Sequence, residues 1–176
     1  MRFDVLGLGE SLNNYTPTGN KTIGVNDIWS RVKTGHVVCV DLPNRFTPER
    51  LKTIINSNCE FYTPLIEWEG LRQINKIALV NARGSLKELD SQDKVCYSNN
   101  SAFVACVMAW KLGAKELYLY GVDFNTHPNF KDESFIRVIN DFKNLYSEFQ
   151  KRGVEIYVTK ESVLSEFIPA ILKHER

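Results

Sequence analysis

Phe3-Asp4-Val5-Leu6-Gly7-Leu8-Gly9-Glu10-Ser11-Leu12 stands almost at the start of the chain. An apolar run that breaks at Gly-x-Gly and passes into polar, helix-capping residues predicts a strand ending in a tight turn. Such a turn brings backbone amides close to a ligand, so Gly7, Gly9 and Ser11 are candidates for contact with a phosphate or ribose. The same turn also serves as a ligand-free connection from strand to helix. The third glycine of a dinucleotide fingerprint is missing, with Leu12 in its place. Glu10 opposes a phosphate directly over the loop, because like charges repel.

Outward from this turn, strands and helices alternate. Short apolar runs predict strands over 2–6, 22–25, 36–41, 59–62, 76–80, 116–121 and 154–158. A nearly all-apolar helix is expected over 102–112, ended by Gly113, and an amphipathic one over 132–152, ended by Gly153. Its apolar face carries Phe135, Val138, Ile139, Phe142, Leu145, Tyr146 and Phe149 at helical spacing. A last short helix is expected from Ser162. This order predicts an α/β fold: one Rossmann-like three-layer domain over residues 1–176, with a mostly parallel sheet.

In open α/β sheets, ligands bind outside the carboxyl ends of the strands. The polar residues expected there are Asn26 and Asp27, Asp41, Arg45, Arg83, the run Ser98-Asn99-Asn100-Ser101, and Asp123. The loop Asp123-Phe124-Asn125-Thr126-His127-Pro128 adds a histidine able to act as a general base near neutral pH, with Asp123 to position it. A histidine in such a loop is otherwise a solvated residue. Asp27 equally caps the turn that follows it. In the run 98–101 only one residue is needed as an N-cap, and the surplus points to ligand contacts. Arg45 and Arg83 are each able to clamp a carboxylate or phosphate, or to stand at the surface. The set is rich in Asn and Ser and poor in clustered carboxylates, which suits hydrogen bonding to a sugar, base or phosphate better than metal binding.

Composition narrows the rest. With 22 basic and 21 acidic residues the net charge is +1, so no broad nucleic-acid-binding face is expected. Apolar residues make up 43% of the 176, and no run approaches a membrane span. Cys39, Cys59, Cys96 and Cys106 fit no zinc or redox spacing and read as reduced core thiols. A cytoplasmic location is expected, with a homo-oligomer left open.

Gly7-Leu8-Gly9-Glu10-Ser11-Leu12 resembles the Gly-x-Gly-Pro-Ser-Leu opening of the MptE-like proteins (the DUF115 group) and of the bacterial sialyltransferases of glycosyltransferase family 42. Ile23-Gly24-Val25-Asn26 is similar to their second strand, which ends in asparagine. Leu112-Gly113-Ala114-Lys115-Glu116-Leu117-Tyr118-Leu119-Tyr120-Gly121-Val122-Asp123-Phe124 is similar to their LG-x-KEIYL-x-G-x-DF run. The resemblance covers most of the chain. Leu8 replaces the asparagine between the sialyltransferase glycines, Glu10 replaces the proline, and the loop after Phe124 is shorter than their lid.

The resemblance implies a transferase that moves a sugar from a CMP- or other nucleotide-sugar to an acceptor hydroxyl, with no cofactor. Gly7, Gly9, Ser11, Asn26 and residues 98–101 would line the nucleotide site, and His127 would be the general base. In the MptE-like members the same scaffold transfers a pyrophosphoryl group from ATP with magnesium, for which Asp41 and Asp123 are the candidates. A non-catalytic nucleotide-binding protein is the remaining alternative.

Overall fold

The computed structural model describes residues 1–125 and 132–172. Nine strands run β1 (Arg2–Leu6), β2 (Lys21–Val25), β3 (His36–Val38), β4 (Glu60–Thr63), β5 (Asn75–Lys76), β6 (Ala78–Leu79), β7 (Lys94–Val95), β8 (Glu116–Tyr120) and β9 (Glu155–Val158). Three α-helices are α1 (Pro48–Ile55), α2 (Ser101–Lys111) and α3 (Asp132–Lys151). Seven strands form one sheet in the order β5-β4-β3-β2-β1-β8-β9. Every pairing in it is parallel. β6 and β7 pair separately, also parallel.

Residues paired across parallel strands share a face, and the alternation separates two cores. Phe3, Val5, Ile23, Val25, Val38, Leu117, Leu119 and Ile156 are buried on one face with α2 and with Val138, Phe142, Leu145 and Phe149 of α3. Leu6, Val37 and Phe61 pack on the other face with Ile54 of α1 and with Leu12, Ile28 and Trp68. The result is the three-layer α/β arrangement expected from the alternation. α2 is buried at every position from Ala102 to Ala109, which matches its uniformly apolar sequence. At about 1.5–3 kcal/mol for each large apolar side chain removed from water, it anchors the sheet centre.

The first strand is held at its polar position as firmly as at its apolar ones. Asp4 is fully buried. Its carboxylate accepts from Tyr15 Oη at 2.9 Å, Thr18 Oγ1 at 2.6 Å and Asn20 Nδ2 at 2.8 Å. These bonds fasten the chain between the glycine turn and β2 to the sheet. Burial against this carboxylate pushes the Tyr15 phenol pKa well above its usual value.

Several elements depart from the sequence expectation. The run 76–80 is two strands, not one. Ile77 still donates to Thr63 O at 3.0 Å, and the chain then leaves the sheet edge to pair Ala78 and Leu79 with β7. β3 ends at Val38, and residues 39–41, the first still donating from Cys39 N to Tyr62 O at 3.0 Å, start the next loop. α1 and β7 had no counterpart in the expectation. α1 nevertheless carries ordinary start signals: Thr47 as N-cap and Pro48 at its first position. The element after Ser162 is a single 3-10 turn, Val163–Glu166, with Ser162 Oγ accepting from Leu164 N.

Candidate functional site

The chain winds from β1 through β2, β3 and β4 to β5 on one side and places β8 and β9 on the other. The order therefore reverses between β1 and β8, and their carboxyl ends open the crevice where such sheets bind ligands. The two glycine ends meet there. Gly7 N donates to Tyr120 O and Gly9 N to Gly121 O, both at 2.8 Å. A Cβ on Gly7 would stand 2.2 Å from Gly121 O, and one on Gly9 would stand 2.4 Å from Asp123 Oδ2. These glycines are thus required by the approach of two backbones, before any ligand is considered.

A cleft of about 760 Å³ opens over this junction. Of the residues singled out in the sequence, Gly7, Gly9, Asn26, Asp41, Asn99, Asn100, Ser101 and Asp123 line it, and so does Arg45. Ser11 and Asp27 lie beneath its surface, 3% and 8% exposed. Ser98 and Arg83 lie outside the lining: Ser98 is fully buried and its hydroxyl donates to Asp141 Oδ2 at 2.6 Å. Arg83 Nε stands 3.7 Å from the same carboxylate oxygen. His127 lies outside the described residues.

Asp123 is tied down on both oxygens. Ser11 N donates to Oδ2 at 2.8 Å and Ser11 Oγ donates to Oδ1. Ser11 Oγ in turn accepts from Gly121 N at 2.8 Å and Thr159 Oγ1 at 3.0 Å. One hydroxyl thereby joins the glycine turn, the end of β8 and the end of β9.

Asn26 is different. It closes β2 with φ +51°, left-handed backbone that an L side chain rarely adopts. Among the described residues its Oδ1 is buried without a hydrogen-bond partner. Phe124, at φ +62°, is the other non-glycine residue with positive φ among the described residues, and it too lines the cleft. Strained backbone gathers at functional sites because the surrounding fold must hold it in place.

The start of α2 forms one wall. Asn100 is the N-cap, its Oδ1 accepting from Phe103 N at 3.0 Å. Asn99 Oδ1 accepts from Tyr97 Oη. The surplus of polar groups in 98–101 is therefore partly spent inside the protein: Ser98 on Asp141, Asn99 on Tyr97 and Asn100 on the cap. Ser101 and Ala102, the first two residues of the helix, both line the cleft, and amides at a helix start have no intrahelical acceptor.

The opposite wall was largely invisible in the sequence. It consists of Arg45, which ends the 3-10 turn Pro43–Arg45, with Phe46 and with Arg50 of α1. Arg50 Nη2 donates to Asp27 Oδ1 at 2.7 Å, and its guanidinium lies 5.0 Å from the Phe46 ring centroid. The hydrogen bond that Arg50 donates to Asp27 raises its pKa, so the group is charged at any accessible pH. Arg50 was missed because α1 itself was not read. The signal that would have found it is Thr47-Pro48-Glu49, a capped helix start directly after a predicted strand end. Next to this wall, burial pushes the Cys39 thiol up to about 12. Among the described residues, no group of three or more His, Cys, Asp or Glu side chains is placed to hold a metal ion. Nor is any helix of these residues long and apolar enough to cross a membrane.

No family model matches the chain, and no curated protein matches it in sequence. Solved structures do match in fold. The sialyltransferase CstII from Campylobacter jejuni in complex with the substrate analogue CMP-3FNeuAc superposes with a TM-score of 0.55 at 15% identity, covering 96% of this chain and 84% of that one. The same enzyme with a trisaccharide acceptor and CMP gives 0.55 at 15%, over 97% and 86%. An α-2,3-sialyltransferase from Campylobacter jejuni in its apo form gives 0.56 at 17%, over 97% and 80%. At these identities the likeness is one of fold.

Proposed function

We propose that this protein is a transferase acting on a nucleotide-activated donor, of the sialyltransferase-like kind, and that the cleft over the β1–β8 junction holds the donor. The observation that carries the reading is Asn26: a strained residue at a strand end, with a carbonyl oxygen that has no partner among the described residues, in a cleft at the switch point of the sheet. An orphaned buried acceptor costs roughly 1–3 kcal/mol and is relieved by a ligand N–H or O–H. A nucleoside or sugar offers both. The fold likeness to proteins solved with CMP and with a trisaccharide acceptor supports the same class of ligand.

In this reading Asn26, Ser101 and the first amides of α2 contact the donor. Ser11 and Asp123 act beneath it as positioning residues, holding the glycine turn against β8. The general base implied by the family resemblance is His127, which would take the proton of an acceptor hydroxyl as that oxygen attacks the donor's activated carbon and the nucleotide leaves. A thermal-shift series with CMP, UMP, GDP and ATP, each with and without magnesium, tests the donor class. Stabilisation by a nucleoside phosphate without magnesium is expected. Stabilisation by ATP with magnesium alone would overturn it in favour of pyrophosphoryl transfer. Loss of transfer in His127→Ala with nucleotide binding retained would support the base, and retained transfer would remove it.

A further inference from the structure

We infer that Arg45 and Arg50 form an anion clamp on the α1 wall of the cleft, and that it takes the phosphate of the donor across from the first amides of α2. The inference rests on the proposed donor site and adds which of this chain's own side chains meets the negative charge. Among the described residues, Arg45 and Arg50 are the two cations that line the cleft. Arg50 is already oriented: Asp27 holds Nη2 at 2.7 Å and the Phe46 ring supports the guanidinium plane. Its Nε and Nη1 have no partner among the described residues and remain for a ligand. Arg45, exposed one turn before α1, has no hydrogen bond or ion pair from its guanidinium among the described residues. Glu10 and Asp41 also line the cleft, and neither is ion-paired to either arginine.

The layering of the fold sets the two walls apart. α1 covers one face of the sheet and α2 the other, so a ligand at the carboxyl edge lies between the arginines and the amino end of α2. A guanidinium presents parallel N–H donors that match two oxygens of a phosphate, and a helix start adds amides of the same sense. Arg50 is fixed by an internal carboxylate, so it gives up little conformational freedom on binding. Arg45 is exposed, and no described residue ties its guanidinium, so its side chain is able to turn onto the anion after entry.

The test is calorimetry on the full chain with CMP, UMP, GMP and AMP, with the matching nucleosides, and with inorganic pyrophosphate. Arg45→Ala, an exposed position with no internal partner, should weaken the best monophosphate about tenfold and leave its nucleoside unchanged. Arg50→Ala leaves Asp27 buried without its partner and threatens the fold, so Arg50→Lys is the second variant. It keeps the charge beside Asp27 and removes the fork, and a several-fold loss confined to the monophosphate is expected. If both variants leave the ratio of monophosphate to nucleoside affinity at the wild-type value, the clamp is overturned while the donor site stands. If pyrophosphate binds the wild type and is lost in Arg45→Ala while no nucleotide or nucleoside binds, the clamp stands and the donor reading falls. Absence of any phosphate binding to the wild type overturns the clamp.

Discussion

Ser11 and Asp123, 112 positions apart in the chain, bind each other at two points: the Ser11 amide donates to Oδ2 at 2.8 Å and its hydroxyl to Oδ1. Both residues are buried, 3% and 4% exposed. Hydrogen bonds to a buried carboxylate are stronger than neutral ones, and a donor left unpaired there costs about 1–3 kcal/mol. Asp123→Asn should therefore destabilise by about 2 kcal/mol, because the amide presents a donor where Ser11 Oγ needs an acceptor. Urea unfolding of wild type and variant measures this. A change within error would show that the pair does not hold the turn.

Gly7 and Gly9 should tolerate alanine far worse than glycines elsewhere. A Cβ at Gly7 meets Gly121 O at 2.2 Å, and one at Gly9 meets Asp123 Oδ2 at 2.4 Å and Gly121 O at 2.8 Å. Backbone is the obstacle at Gly7, so the β1–β8 pairing itself must shift, at a cost of about 1–3 kcal/mol or more. Gly70 is the control, since nothing lies within 4 Å of its Cβ position and its φ is ordinary. Equal midpoints for Gly7→Ala and Gly70→Ala would contradict the packing argument.

His36 should make the fold acid-sensitive. Its ring lies between Phe3 and Tyr62, at centroid distances of 5.9 and 6.0 Å, and its Nδ1 is buried without a hydrogen-bond partner among the described residues. Burial lowers its pKa below the usual 6.5, Glu60 on the neighbouring strand opposes the shift, and Lys21 adds to it. The folded value is thus below the unfolded one, so the unfolded state binds the extra proton. Stability is fully present above pH 6.5 and is lost as pH falls from 6.5 through the lowered value. Urea midpoints from pH 8 to 5 should fall in wild type and fall less in His36→Gln. Parallel curves would remove His36 from the acid response.

The sheet was legible in the sequence because its strands are short apolar runs set between capped helices, and Val5, Ile23 and Leu119 report only burial. The cleft lining was legible where a residue at or a few positions past a strand end is polar, as at Asn26, Asp41 and Asp123. It was not legible where the polar group is spent inside the protein. Ser11 reads as a phosphate contact but supplies the junction of three strand ends. Ser98 reads as a ligand contact but is spent on Asp141 of α3, a pairing across 43 positions that no local pattern announces; Arg83 stands 3.7 Å from the same carboxylate, with its Nε and Nη2 buried and without a hydrogen-bond partner among the described residues. Arg50 was hidden for the opposite reason. Its importance comes from Asp27 and Phe46, which only the packing of α1 beside the end of β2 brings to it.

Asn26 allows backbone strain and ligand contact to be separated in one position. With φ +51°, alanine there should cost roughly 1 kcal/mol of stability, since a Cβ without a compensating side-chain contact disfavours left-handed backbone. Glycine adopts that conformation freely, so Asn26→Gly should be as stable as wild type or slightly more so. Both variants remove Oδ1, the buried acceptor that no group of the described residues satisfies. If a ligand satisfies it, both lose affinity for the best nucleoside monophosphate by a similar factor, about tenfold for one well-placed hydrogen bond. Stability and affinity would then move independently: glycine stable and weak-binding, alanine less stable and equally weak-binding. Should Asn26→Gly bind the monophosphate as wild type does, the strain at this position serves the strand end alone, and the donor must be held by Ser101 and the wall opposite.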